Sequence, residues 1–188
     1  MSNMQRLLYY EDRAKLIKDF LKGTSLHIGA YDGGFHEQIK NEKMAAIDII
    51  PDIKRGIKEG IAEKIPYPEK YFDTVIIPNT MMAILNPLNA LDEAYRVLKK
   101  NGRLIITEPN MMSLDNILRK NVAKYDMALY SWDITTMERL IKKTKFKIIK
   151  KGFLNQKILT MNIYYIFIYL FCKFIKKYSS SHFFILEK

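Results

Sequence analysis

The spacing of apolar positions changes several times along the chain. Over residues 4–21 it is helical, with Leu7, Leu8, Ala14, Ile17 and Leu21 on one face and Gly23 as a stop. Ser25-Leu26-His27-Ile28 is a short strand-like run that ends at Gly29. A glycine-rich loop follows, Gly29-Ala30-Tyr31-Asp32-Gly33-Gly34, and a short helix is predicted from Phe35. Met44 to Ile50 contains a second strand, Ala45-Ala46-Ile47, with Asp48 at its end, and Phe72–Ile77 forms a third. Asn89–Lys99 is helical, with Leu91, Ala94, Tyr95 and Leu98 apolar; Asn101-Gly102 stops it and turns into a strand over Arg103–Thr107. A helix over 134–144 and a strand over 146–153 are also predicted. Strands alternating with helices predict an α/β fold with a largely parallel sheet.

Composition narrows this picture. At 188 residues, 48% hydrophobic, the chain can bury a real core and fits a single domain over 1–188. It divides into an N-terminal helix (1–22), a first half (23–110) and a second half (111–188). One cysteine, Cys172, excludes an intramolecular disulfide and a cysteine-based zinc site. His27, His36 and His182 are too scattered for a His-rich metal site. The opening residues carry acids early and have no long apolar run, which argues against a secretory signal and for a cytoplasmic setting.

The formal net charge is +11, and it has one address. From Arg139 to Leu186 there are 11 basic residues and no acid, while the rest carries 20 basic and 20 acidic residues. A cationic excess favours anionic partners, nucleic acid or acidic lipid headgroups; the plainer alternative is solvated lysines. Inside the same span lies ILTMNIYYIFIYLFC, 15 uncharged residues from Ile158 to Cys172 between Lys157 and Lys173. It is apolar on all sides and short of the roughly 20 residues a spanning helix needs. Three readings stay open: a buried or dimer-forming helix, a segment lying on an anionic membrane surface, and a true span.

A glycine-rich turn between a first strand and a first helix can cradle a nucleotide-like ligand, because backbone can approach it closely. An acid ending the second strand can accept from two ribose hydroxyls; here that acid is Asp48, 19 positions after Gly29. A more specific pattern follows in Ala62-Glu63-Lys64-Ile65-Pro66-Tyr67-Pro68, Phe72-Asp73, Arg96-Val97-Leu98-Lys99, Asn101-Gly102-Arg103-Leu104 and Glu108-Pro109-Asn110. In this order and spacing, the chain from about 22 to 110 resembles the class I S-adenosylmethionine-dependent methyltransferases, in particular their small methyltransferase-domain-11 group. Ser181–Lys188 is similar to that family's closing strand.

The resemblance implies a Rossmann-like three-layer α/β/α fold, with a seven-stranded, mostly parallel sheet and an antiparallel last strand. It implies S-adenosyl-L-methionine as cofactor. Gly29 and Gly33, with Ala30 and Tyr31 between them, match the turn around the cofactor's methionine part. Asp48, beside Ile49, matches the ribose-holding acid, and Ile61 and Ala62 fall where adenine is contacted. Asn79 and Thr80 fall where the methionine end meets the acceptor cavity. The chain also departs from the pattern. His27 stands in place of an acid before the turn, and Tyr31 in place of its middle glycine. Ile61 replaces the acid before Ala62, and Met82-Ala83 a frequent Glu-His pair. The stretch from Asp48 to Ala62 is short enough to reduce the usual helix to a turn.

His36, Asn79 and Glu108 are the first candidates for chemistry, though no acid–base pair is distinctive enough to assign. Beside each functional reading stands a packing one: His27 as a packed strand histidine, Tyr9 and Tyr10 as helix aromatics, Tyr130 and Trp132 as core or lid, Glu108 as part of its turn. Three functions follow. The first is methyl transfer to a small-molecule or lipid-like acceptor, with peripheral membrane contact or homodimerisation through 158–177. The second is RNA or DNA methylation, disfavoured because no base-methylation motif is present. The third is a degenerate, non-catalytic binding protein.

Overall fold

The computed structural model describes residues 3–31, 34–110, 112–113, 128–154, 170–171, 174–179 and 181–188, with residues 3–11 by backbone alone. Gly33 and most of the 158–172 run lie outside the described residues, as do the side chains of Tyr9 and Tyr10. The elements are α1 (Asn3–Phe20), β1 (Ser25–Ile28), α2 (Gly34–Ile39), β2 (Met44–Asp48), β3 (Ile57–Glu59), β4 (Phe72–Pro78), α3 (Pro87–Val97), β5 (Leu98–Pro109), α4 (Ile134–Ile141), β6 (Lys147–Leu154) and β7 (Ser181–Glu187).

The described strands form one seven-stranded sheet in the order β3-β2-β1-β4-β5-β7-β6. β1 to β5 pair in parallel, and β7 runs antiparallel to both β5 and β6. The expected three-layer fold with an antiparallel last strand is what the chain adopts. Two-residue alternation along the strands sends apolar side chains to both faces. Leu26, Ile28, Val75, Ile77, Leu104 and Phe184 join the core under α3 and α4. His27's face carries Ile76, Ile105 and Ile185 to meet Ala14 and Ile17 of α1 and Ile39 of α2.

Local chemistry fixes the element ends. Asn86 caps α3, its side chain accepting from the Asn89 N–H at 3.1 Å, and Pro87 occupies the first turn, where no amide is needed. Asp133 caps α4 with Thr136 completing a capping box. Between Asp48 and Ala62 the chain forms the expected turn in place of a helix, a 3-10 turn over Ile53–Arg55 with left-handed Gly56 at its end. β3 escaped sequence reading because only Ile57 of its three residues is buried, too little to set a period. β5 is longer than the predicted 103–107, because it starts directly at the end of α3.

The Ala62–Pro68 segment is held by α3. The Arg96 guanidinium donates to the carbonyls of Tyr67 (2.9 Å) and Ile65 (3.0 Å) and forks onto Glu93. Glu93 in turn accepts from the Ile65 N–H at 2.9 Å. The Glu-x-x-Arg pair on one helix face therefore reads the backbone of the segment that leads to β4. Arg96→Ala should destabilise the fold by about 2 kcal/mol in urea unfolding, from two lost charge-assisted bonds to backbone. Arg96→Lys should recover less than half, since an ammonium cannot fork to both carbonyls and Glu93; full recovery would show that charge alone matters.

Candidate active site

Parallel strands deliver their following turns to one edge of the sheet, and ligands in open α/β folds sit there. At this edge the chain leaving β1 bends over β2: the Gly29 and Ala30 amides both donate to the Ile47 carbonyl, at 3.0 and 3.3 Å. Gly29 has φ +76°, and a Cβ built there would stand 2.1 Å from Thr80 Oγ1. Both the left-handed backbone and the close approach demand glycine. Thr80, expected where the methionine end meets the acceptor cavity, is the wall against which the glycine turn packs.

Asp48 ends β2 with only 7% of its surface exposed. Its Oδ2 accepts from the Tyr31 N–H at 2.6 Å and its Oδ1 from the Ile50 N–H at 2.9 Å. A carboxylate has about four acceptor directions, so each oxygen retains capacity for a hydroxyl. Tyr31 is left-handed (φ 45°), like the glycine it replaces, and its side chain is 64% exposed, turned out of the packed turn. Ile49 is exposed beside Asp48, as is Ile61 after β3, whereas Ala62 is buried. The Gly60 amide donates to the Asp48 carbonyl at 3.0 Å, so the Ile61–Ala62 turn is tied to the same acid. Gly29, Ala30, Tyr31, Asp48, Ile49, Ile61 and Ala62 are thus gathered around the ends of β1, β2 and β3. The exposed Ile50 and Ile53 extend this apolar rim and went unnoticed in the sequence, where they read only as part of a strand end and a turn.

Asn79 stands just past β4 with φ 53°, its amide donating to the Thr107 carbonyl at 2.6 Å. Its buried Oδ1 has no hydrogen-bond partner among the described residues. Glu108, fully buried, accepts from the Met81 N–H at 2.8 Å and so holds the turn that follows Asn79 and Thr80. Burial pushes the Glu108 carboxyl up to about 8, against the pull of that amide and of the Arg13 charge. His182, directly opposite on β7, is also buried, and desolvation brings it down to about 4.

The histidines do not form a catalytic pair at the edge. His27 points beneath α2, where its Nδ1 lies 3.2 Å from His36 Nδ1 and its ring meets Phe35 edge-on. Burial, with the neighbouring His36, brings His27 down to about 3, and burial also lowers His36. One neutral ring donates and the other accepts, so the pair is a packed hydrogen bond. No sequence signal announces it, because the partners lie on a strand and on the following helix.

Beyond β4 the edge belongs to other connections. The Leu129 and Tyr130 amides donate to the Met82 carbonyl, and the Tyr130 hydroxyl donates to the Leu85 carbonyl at 2.9 Å. Tyr130 and Trp132 stack obliquely, ring centres 5.5 Å apart, and Trp132 packs against the core. Asn110 anchors the turn before β7, its side-chain amide donating to the Lys177 and Ser179 carbonyls, both at 2.8 Å. Among the described residues no group of three or more His, Cys, Asp or Glu side chains could hold a metal ion.

Comparison with known proteins bears on the domain and the fold. A family model described as a methyltransferase domain matches residues 26–106. The uncharacterized protein MJ1123 of Methanocaldococcus jannaschii is 34% identical over 107 residues, 53% of this chain and 51% of that one. The ubiquinone/menaquinone biosynthesis C-methyltransferase UbiE of Erwinia tasmaniensis is 40% identical over 71 residues, 38% of this chain and 28% of that one. The matches thus span about half or less of these curated relatives' lengths. In fold, the chain is similar to a SAM-dependent methyltransferase of Thermotoga maritima, with TM-score 0.71, 21% identity, and coverage of 98% of this chain and 92% of that one. The chain thus carries a stretch that matches a methyltransferase domain over residues 26–106, and with an antiparallel β7 beside β5 it has the fold of a SAM-dependent methyltransferase.

Proposed function

We propose that the chain binds S-adenosyl-L-methionine at the ends of β1, β2 and β4 and directs its methyl group to a small-molecule or lipid-like acceptor. The observation that carries this reading is Asp48: a nearly buried carboxylate, oriented by two backbone amides, beside a turn that only glycine can make. Such a carboxylate can accept from the two vicinal hydroxyls of a ribose. Ile49 and Ile61 offer the apolar surface an adenine needs, with Ala62 packed beneath them. The Gly29–Tyr31 backbone and the unsatisfied Asn79 Oδ1 are suited to the charged amino-acid end. When bound, the cofactor supplies an electrophilic methyl group on a sulfonium.

The protein's own part in this reading is alignment and exclusion of water. Glu108 and His27 are enclosed and engaged with Met81 and His36, so neither is presented as a general base. That suits an acceptor that is nucleophilic as it arrives, or one that gives its proton to water. Glu108 is instead a positioning residue for the Asn79–Met81 turn. The exposed apolar residues beside β4, Leu85 and Leu129, favour an apolar acceptor over a nucleic acid at the site itself.

Titration calorimetry with S-adenosylhomocysteine tests the reading. The parent chain is expected to bind, and Asp48→Asn to bind roughly 30-fold more weakly, from the loss of about 2 kcal/mol in charge-assisted hydrogen bonds. Thermal melts should confirm that the variant is folded. A parent chain that binds nothing would favour the non-catalytic alternative, for which the His27–His36 pairing in place of an acid is the physical argument.

The Glu108 assignment has its own signature. Its folded value, about 8, lies above the ordinary 4.5, so the stability of the neutral, buried form is complete below 4.5 and is lost as pH rises towards 8. Glu108→Gln, neutral throughout, should therefore gain in urea midpoint relative to the parent across that window, with Arg13 and His182 the charged or titratable groups nearest to it. A constant difference between the two proteins would place Glu108 in a solvated, ionised state.

A further inference from the structure

Both ends of the 155–180 connection are fixed at one edge of the sheet. Leu154, ending β6, is in register with Ser181, opening β7, and Ser181 is in register with Pro109 at the end of β5. That is the edge that carries Asp48, Asn79 and Thr80. The most apolar stretch of the chain, Ile158 to Cys172, therefore leaves from and returns to the cofactor edge, although its own course lies outside the described residues.

Where the chain is described again, it is apolar, exposed and basic. Phe174 is 87% exposed, Leu170, Lys176 and Lys177 are exposed, and both lysines sit on the turn that Asn110 tethers, the Lys177 ammonium 4.9 Å from the centre of the Tyr178 ring. Across the same edge, Leu85 is 76% exposed and Leu129 exposed, both on the acceptor side of β4. Large apolar side chains left in water at one rim, beside lysines and without an acid from Arg139 to Leu186, match a surface that is apolar below and anionic above. Among the described residues no helix is long and apolar enough to cross a membrane.

We infer that this rim, with Phe174, Leu85 and Leu129 as apolar contacts and Lys176 and Lys177 as headgroup contacts, seats the acceptor side of the molecule on an anionic lipid bilayer. The acceptor class is then a lipid-soluble compound that enters sideways from the membrane, without crossing water. This inference rests on the proposed cofactor edge for the identity of the acceptor, but the surface itself can be measured without it.

The experiment is sedimentation of the full chain with vesicles of phosphatidylcholine alone and of phosphatidylcholine mixed with phosphatidylglycerol. Binding is expected only to the anionic vesicles and should fall with added salt. Lys176→Gln/Lys177→Gln should weaken it by roughly 30-fold, from about fivefold for each lysine at an anionic surface. Phe174→Ser should weaken it as well. Lys143→Gln/Lys147→Gln alters two exposed lysines at and beyond the start of β6, towards the opposite edge, and should lose much less. Equal loss from both lysine pairs would overturn the assignment, because binding would then follow net charge and not this rim. No binding to either vesicle would overturn it too, as would a Phe174-dependent self-association that leaves the vesicles bare, since a second copy would then cover the edge. Calorimetry with S-adenosylhomocysteine on the same preparations separates the two ideas: cofactor binding without vesicle binding defeats the membrane surface alone, and vesicle binding without cofactor binding defeats the methyltransferase reading alone.

Discussion

Gly29 and Thr80 share a space too small for a methyl group, and the edge of the sheet that carries Asp48 and Asn79 is organised around that contact. It exists because β1 and β4 are parallel neighbours, so their following turns emerge side by side. Closing the gap forces Gly29 into the left-handed region and bends the next residues back over β2. The bend brings the Tyr31 amide onto Asp48, and Asp48 is then aimed by backbone from both sides. A chain of geometric necessity thus runs from strand pairing to the orientation of a single carboxylate. Fixed donors and acceptors of this kind need no reorganisation when a ligand arrives.

A second tier of contacts keeps the turns where the strands leave them. Glu108 holds Met81, Asn110 holds Lys177 and Ser179, and Arg96 with Glu93 holds Ile65 and Tyr67. In each case a side chain on or just after a regular element binds the main chain of an irregular one. Loops cannot satisfy their own amides and carbonyls as helices and strands do, so polar side chains from the scaffold do it for them. The Glu-Pro-Asn pattern at the end of β5 and the Arg of Arg-Val-Leu-Lys acquire a mechanical meaning here: they are tethers, and the site inherits its shape from them.

The fold was readable because most of its strands carry runs of continuously buried residues. Val75–Pro78 and Leu104–Ile106 are apolar on both faces, as parallel strands between helical layers must be. Asp48 was readable from its position after such a strand. Three features were not. β3 has a single buried residue, so no period exists to detect. The His27–His36 bond joins rings whose meeting depends on the angle between a strand and its helix, which spacing does not encode. Thr80's role against Gly29 follows from the pairing of β1 with β4, strands about 45 residues apart in the sequence, and such long-range contacts are invisible to local pattern.

The charge asymmetry takes its sense from topology. Up to β5 the chain is nearly balanced in charge, and the sheet edge it builds is shaped by backbone groups and one carboxylate. The connections after β5 are free of that duty, because none of their backbone is needed to shape the glycine turn. Apolar and basic residues can accumulate there without disturbing the site. β7, antiparallel to both its neighbours where β1 to β5 pair in parallel, returns the β6–β7 connection to the edge where chemistry is expected. Had β7 joined the sheet in parallel, the chain between β6 and β7 would have to cross to the opposite edge, and its apolar run would be tied to the site at one end only. The reversed last strand is therefore what brings both flanks of the most apolar segment of the chain to the acceptor side of the site.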